Sequence, residues 1–128
     1  MRSIVLITIF LFSSLFAQTS YSGDDFTVTS NGVTTSTLNI TDSGNITDVN
    51  VTMSGSELCG NQYLDITLQS PYGTTVELTN ITTLGGVTFY QTTFDDEAST
   101  TIEDGVDPYF GSYQPVGNLS DFDNEEMN

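Results

Sequence analysis

The chain has 128 residues with 17 Asp and Glu, one Lys or Arg and no His, and its formal net charge is −16 at pH 7. The single basic residue is Arg2, so we expect no nucleic-acid binding, which needs cationic side chains, and an anionic membrane surface would repel the protein. A Ser-His-Asp or Cys-His site is excluded as well, because no imidazole is present to take the proton of a nucleophile. The length fits one domain of about 100–150 residues.

Residues 1–17 predict a secretory signal peptide. Arg2 precedes an apolar run, Ile4–Phe12, and Ala17 is a suitable residue before a cleavage site. The run is shorter than the roughly 20 apolar residues that span a membrane. We therefore expect a secreted or cell-surface protein with no membrane insertion after removal of this segment.

Residues 18–25 are interpreted as a polar link, and residues 26–128 as the domain. In the domain, Thr, Val, Ile and aromatic residues recur between clusters of Gly, Asn, Asp and Ser, which is the composition of strands and turns. No segment keeps the apolar period of a helix over three turns. The predicted strands are Phe26–Thr29, Ser36–Ile40, Ile46–Met53, Leu64–Gln69, Thr75–Leu78 and Val87–Phe94.

Short strands at this spacing predict an all-β fold, a jelly-roll-like β-sandwich of antiparallel strands in which two sheets bury alternate residues between them. The predicted inward residues are Val49, Val51, Met53, Leu64, Ile66, Leu68, Val76, Leu78, Val87 and Phe89. Cys59 is the only Cys of the sequence, and we expect a buried or partly buried free thiol; a disulfide to another chain or to a Cys after Asn128 is the alternative.

The clearest hairpin signal is the segment Tyr63–Thr74, YLDITLQSPYGT. Apolar and polar residues alternate through its first seven positions, as in a half-buried strand. Pro71 then fixes φ for a turn, and Gly73 can adopt positive φ. Alternation resumes after the turn, so the segment predicts two antiparallel strands.

Further segments extend this hairpin into an ordered series. They are DVNVTM (Asp48–Met53), FDDEA (Phe94–Ala98), GSYQP (Gly111–Pro115) and LSDF (Leu119–Phe122). The series resembles the P domain, or P/Homo B domain, the β-sandwich accessory module of kexin-like and furin-like proprotein convertases and of secreted bacterial subtilisin-like proteases. That family continues with a Gly-Thr-Trp strand, so the resemblance implies a domain that is incomplete after Asn128.

The stretch Asp95–Gln114 predicts a long loop, because alternation fails there while Gly and Pro accumulate. Loops longer than about 12–15 residues in compact domains are usually functional or disordered. Tyr109, Phe110 and Tyr113 favour a loop that packs on the sandwich, since disordered segments contain few aromatic residues.

Acidic residues of this loop are candidate calcium ligands, because calcium takes six to eight oxygens from carboxylates and carbonyls and tolerates irregular loops. A plain solvated acidic loop is the other interpretation, which the sequence leaves open. The candidate ligands are Asp95, Asp96, Asp104 and Asp107, with Glu97 and Glu103 beside them.

Two functions follow as expectations. By its resemblance, the chain is a non-catalytic accessory domain that stabilises or positions a subtilisin-like serine-type endopeptidase, or another secreted module, in the same polypeptide. The alternative is a calcium-dependent cell-surface adhesion or glycan- or protein-binding module, which uses the loop aromatics Tyr109, Phe110 and Tyr113.

Overall fold

A computed structural model describes residues 18–28, 32–58, 63–82 and 87–128. The predicted signal peptide and Cys59 lie outside these residues. In the described part no helix has the length and apolar character needed to cross a membrane. The strands are β1 (Val51–Leu58), β2 (Tyr63–Gln69), β3 (Thr75–Thr82), β4 (Val87–Phe94) and β5 (Tyr109–Tyr113), and the 3₁₀ turns are Ile102–Asp104 and Leu119–Phe122.

The predicted hairpin is confirmed as the antiparallel pair β2–β3. Its register places Leu68 opposite Val76, and Leu64 opposite Ile81 at the far end. At the turn, the Gly73 backbone N–H donates to the Ser70 carbonyl at 3.1 Å. Gly73 has φ of 95°, a backbone conformation that residues other than glycine adopt only at a cost in free energy.

The second sheet has the strand order β1–β4–β5. β1 and β4 are antiparallel, whereas β4 and β5 are parallel, which departs from the expected all-antiparallel arrangement. β5 lies inside the stretch that was predicted to be a loop, so that prediction is wrong for Tyr109–Tyr113. Five residues with adjacent aromatics and a Gly do not alternate, and only the pairing with β4 makes them a strand.

An irregularity in β4 changes which side chains face inward. Gln91 has φ of 48°, and its backbone N–H leaves the ladder to donate to Ser54 Oγ at 2.9 Å. Because one extra residue reverses the in-out pattern, Thr92 and Phe94 are buried after it, as Val87 and Phe89 are before it. In β4, the alternating sequence pattern alone places the odd-numbered residues inward along the whole strand, and it therefore misses Phe94.

Both sheets contribute to one core, which confirms the all-β class and its two-layer organisation. The ring of Phe89 on β4 lies 5.4 Å from that of Tyr109 and 6.3 Å from that of Phe94. All ten predicted inward residues belong to this cluster, five of them fully buried and five partly buried. Four further buried residues of the cluster were not predicted: Phe94, Ile102, Leu119 and Phe122; a fifth, Tyr109, was expected to pack on the sandwich from a loop.

The predicted strands before β1 are not found. Residues 26–28 and 36–40 have no strand pairing, and β1 starts at Val51 rather than Ile46 and continues to Leu58. Residues 44–46 are instead attached to the C-terminal segment, because Ile46 N–H donates to the Glu125 carbonyl and Asn124 N–H donates to the Ile46 carbonyl, both at 2.8 Å. The extent of β1 follows its pairing with β4, from Val51 opposite Phe94 to Leu58 opposite Val87, and not the strand propensity of residues 46–50.

Candidate functional site

Asp96 bridges two segments that are distant in sequence. Its Oδ1 accepts the Leu119 backbone N–H at 3.0 Å, and its Oδ2 accepts the Ser120 N–H at 2.9 Å. The residue at the N-cap of this 3₁₀ turn, Asn118, makes no side-chain cap hydrogen bond, so Asp96 satisfies the free N–H groups from outside. Leu119 and Phe122 are thereby held in the core.

Asp95 connects the end of β4 to the end of β5. Its Oδ1 accepts the Glu97 backbone N–H at 2.8 Å. Its own backbone N–H donates to the Tyr113 carbonyl at 3.0 Å. The side chain shapes the turn after β4, while the backbone continues the pairing with β5.

Asp104 and Asp107 have local roles of the same kind. Asp104 Oδ2 accepts the Thr101 hydroxyl at 2.9 Å, and the Asp104 N–H donates to Thr101 Oγ1 at 3.3 Å, which caps the 3₁₀ turn Ile102–Asp104. Asp107 Oδ1 accepts the Thr88 backbone N–H at 2.6 Å and so fixes the entry of β5 against β4.

Each of the four predicted calcium ligands therefore accepts a hydrogen bond at a different point of the loop. Within the described ranges, no three His, Cys, Asp or Glu side chains are grouped so as to hold a metal ion. Calcium binding by Asp95, Asp96, Asp104 and Asp107 remains a prediction.

A carboxylate cluster that the sequence analysis did not identify lies where β1 begins and β4 ends. A side-chain hydrogen bond with Asp95 raises the pKa of Glu97, partial desolvation raises it further, and the negative charge of Asp48 adds to the shift. Asp48 joins the cluster through the pairing of β1 with β4, and no local pattern in the sequence signals that contact.

The outward face of the three-stranded sheet carries an aromatic pair. Tyr90 on β4 and Phe110 on β5 are register partners, and their rings stack with centroids 5.8 Å apart and an interplanar angle of 28°. Both side chains are more than half exposed. Of the three loop aromatics that were expected to pack on the sandwich, Tyr109 is buried and Tyr113 half-buried, but Phe110 points outward.

The SPYGT turn holds the C-terminal residues. Tyr72 donates its hydroxyl proton to the Asn128 carbonyl at 3.0 Å, and Thr74 Oγ1 donates to Glu125. Desolvation, followed by the charge of Glu126, raises the pKa of Tyr72. Ser70 Oγ and Glu125 Oε2 are buried at this contact without a hydrogen-bond partner in the described part of the chain.

A scan against protein-family models gave no match, and searches of curated proteins and of solved structures gave none either. The resemblance to the P domain thus remains a prediction from the sequence.

We predict that Asp96→Ala lowers the free energy of unfolding by about 1–3 kcal/mol, because the backbone N–H groups of Leu119 and Ser120 lose a charged acceptor. Chemical denaturation monitored by intrinsic tyrosine fluorescence measures the change. Asp25→Ala removes the same charge from an exposed position and is expected to stay within about 0.5 kcal/mol of the unsubstituted chain. Equal effects of the two substitutions would contradict the bridging role of Asp96.

The raised pKa of Glu97 predicts that the stability of the folded protein depends on pH. Its pKa is raised in the folded protein, so the folded state binds this proton more tightly than the unfolded state, and the group's contribution to stability is lost as pH rises through the folded pKa. Glu97→Gln should therefore raise the melting temperature at pH 7 and have no such benefit below about pH 4, where both states are protonated. The measurement is thermal unfolding across pH.

The exposed Glu103 supplies the control for this experiment. Glu103→Gln removes an equal charge, so it reports the general effect of lowering the net charge. A gain for Glu97→Gln that is no larger than the gain for Glu103→Gln would argue against the local cluster.

Proposed function

We propose that this chain is a non-catalytic accessory domain of an exported protein, which stabilises or positions a serine-type endopeptidase of the subtilisin-like class. The sequence supports this through its resemblance to the P domain and through the absence of His. Without an imidazole or a Lys substitute, Ser and Cys side chains have no general base to activate them.

The observation that carries the proposal is the use of the acidic FDDEA motif. Its Asp95 and Asp96 accept backbone N–H groups and join β4 to the LSDF segment. A catalytic carboxylate needs a free oxygen within reach of a substrate, whereas both oxygens of Asp96 are engaged in positioning the backbone. The motifs on which the resemblance rests thus form a structural frame, namely the two sheets and the loops that Asp95 and Asp96 fix to them. Such a frame is expected for a module that supports a reaction performed elsewhere.

The frame is suited to support a neighbouring domain. Its two sheets share one core, and its loops are attached to that core by Asp96 and by the 3₁₀ turns. A partner that binds only the folded form of another domain stabilises it by mass action. Rigid attachment of the loops lets such contacts form without a large cost in conformational entropy.

The test has two measurements. The purified chain should show no hydrolysis of casein; turnover that a serine-directed inhibitor abolishes would overturn the non-catalytic assignment. The second measurement uses the polypeptide that carries this domain together with the endopeptidase, in which a casein-hydrolysing activity sensitive to that inhibitor is expected. The thermal inactivation half-life of this activity should become shorter when residues 26–128 are deleted, because the accessory domain then no longer stabilises the folded enzyme.

Asp96→Ala is the informative variant in the second measurement, and Asp25→Ala is its matched control. If the frame supports the enzyme, the first substitution should shorten the half-life and the second should leave it unchanged. A peptidase whose half-life does not respond to the chain at all would exclude the accessory role.

A second candidate function is a calcium-dependent adhesion module that binds a glycan or a protein at the cell surface. The exposed stacked rings of Tyr90 and Phe110 favour it, because exposed aromatic pairs are typical of binding surfaces rather than of a solvated sheet face. Calcium would then act through the predicted ligands in the loop.

For this second function we predict that calcium raises the melting temperature more than magnesium does at equal ionic strength, because only calcium tolerates an irregular loop site. Asp107→Asn should remove the difference between the two ions, and Asp24→Asn, at an exposed position in the polar link, should preserve it. Differential scanning calorimetry measures both. An equal response to the two cations would indicate general screening of charge and would exclude a calcium site in the loop.

A further inference from the structure

The outward face of β4 and β5 exposes two aromatic rings that do not contribute to the core. Tyr90 is 59% exposed and Phe110 is 63% exposed, while their chain neighbours Phe89 and Tyr109 fill the core on the opposite face. The two outward rings lie side by side because their residues are register partners on parallel strands. Hydration of such a pair is unfavourable, so a ligand that covers both rings would gain free energy.

Carboxylates lie near both ends of β4. At one end is Asp107, whose Oδ1 accepts the backbone N–H of Thr88, two residues before Tyr90. At the other end, Asp48, Asp95 and Glu97 cluster where β1 begins and β4 ends; the hydrogen bond with Asp95, desolvation and the charge of Asp48 together raise the pKa of Glu97. Between the two ends lie neutral hydroxyls, of which Thr52 and Thr93 are hydrogen-bonded to each other at 2.8 Å.

Residues 3–128 contain no Lys or Arg that could neutralise these carboxylates, because Arg2 is the only basic residue of the sequence. Charge complementarity therefore selects the ligand: it must bring positive charge to both ends and a group that stacks on the rings in between. A guanidinium group does both, since it pairs with carboxylates and lies flat on aromatic faces.

We propose that the outward face of β1, β4 and β5, with Tyr90 and Phe110 at its centre and Asp107 at one end, docks an extended arginine-bearing segment of a partner protein. β4 has eight residues, and at about 3.3 Å per residue a partner segment of similar length spans the face. This inference rests on the proposed accessory function, for which it names the docking surface and the chemistry of the partner. The attraction between opposite charges makes the docking dependent on salt.

The test uses the whole chain and a fluorescent octapeptide of alternating Arg and Gly, with binding followed by fluorescence anisotropy. Matched probes replace Arg by Lys or by Glu, and neutral oligosaccharides are titrated by calorimetry. The variants are Tyr90→Ser, Phe110→Ser, the double variant and Asp107→Asn. Tyr72→Ser is the control, because Tyr72 is 57% exposed but lies at the β2–β3 turn. Thermal melting shows that each variant is folded.

The expected result is binding of the Arg peptide that weakens as salt is added, with the Lys peptide weaker and the Glu peptide not bound. Each ring substitution should lower affinity about two- to fivefold and the double variant about tenfold, as expected for exposed cation–π contacts. Asp107→Asn should also weaken binding and reduce its dependence on salt, whereas Tyr72→Ser should bind like the unsubstituted chain.

Several results would overturn the proposal. The double variant binding as tightly as the unsubstituted chain would do so, as would equal binding of the Glu peptide or the absence of binding to any charged peptide. Ring-dependent binding of a neutral oligosaccharide without binding of the Arg peptide would assign the face to a glycan instead.

The docking surface and the accessory function can fail separately. If the double variant still lengthens the half-life of the peptidase, the accessory function stands and the surface is wrong. If the Arg peptide binds as expected and no peptidase responds to the chain, the surface stands and the accessory function is wrong.

Discussion

The hydrogen bonds that the Asp96 carboxylate accepts from the backbone N–H groups of Leu119 and Ser120 show how this protein fixes its loops to the two sheets. In a sequence with 17 carboxylates and a single basic residue, acidic side chains cannot form the ion pairs that usually satisfy them. Backbone N–H groups, hydroxyls and side-chain amides are the donors that remain. Asp95, Asp104 and Asp107 use the same solution, so the carboxylates that load the protein with charge also fix its loops.

This use of carboxylates explains why the stretch after β4 is ordered although it contains little regular structure. Loops need partners for their backbone polar groups, and a buried N–H without one costs about as much as a lost hydrogen bond. Asp96 supplies two such partners to a 3₁₀ turn whose own cap residue supplies none. Leu119 and Phe122 can then enter the core, and the C-terminal segment extends the layer formed by β2 and β3 through Gly117 N–H and the Glu77 carbonyl.

The sequence predicts the elements in which side-chain alternation and turn chemistry agree. The β2–β3 hairpin and the bounds of β4 are confirmed for that reason, since YLDITLQ alternates and Pro71 and Gly73 end it. β5 is missed because its residues do not alternate, and Phe94 is missed because the irregular backbone at Gln91 reverses the pattern. The first predicted strands fail because they have β-forming residues but no pairing partner in the described part of the chain.

The candidate sites are likewise predictable from the sequence only where they do not depend on tertiary pairing. Composition identifies the acidic residues of the loop, but whether a carboxylate accepts a backbone N–H or remains open to a ligand is decided by tertiary contacts. Tyr90 and Phe110 are 20 positions apart and meet only through the parallel pairing of β4 with β5. Asp48 likewise meets Glu97 only through the pairing of β1 with β4. No local period in the sequence carries this information.

One-sided charge also links the stability of this protein to its partners. Repulsion among carboxylates opposes the compact state, and the charge of Asp48 contributes in this way to the raised pKa of Glu97, after the hydrogen bond with Asp95 and desolvation. A cationic partner that docks on the outward sheet face relieves this repulsion while it gains the contacts with Tyr90 and Phe110. Because such a partner binds only the folded form, its binding stabilises the fold by mass action. In the proposed complex the support is reciprocal: positive charge on the partner would stabilise the domain that supports it, and salt would weaken both effects together.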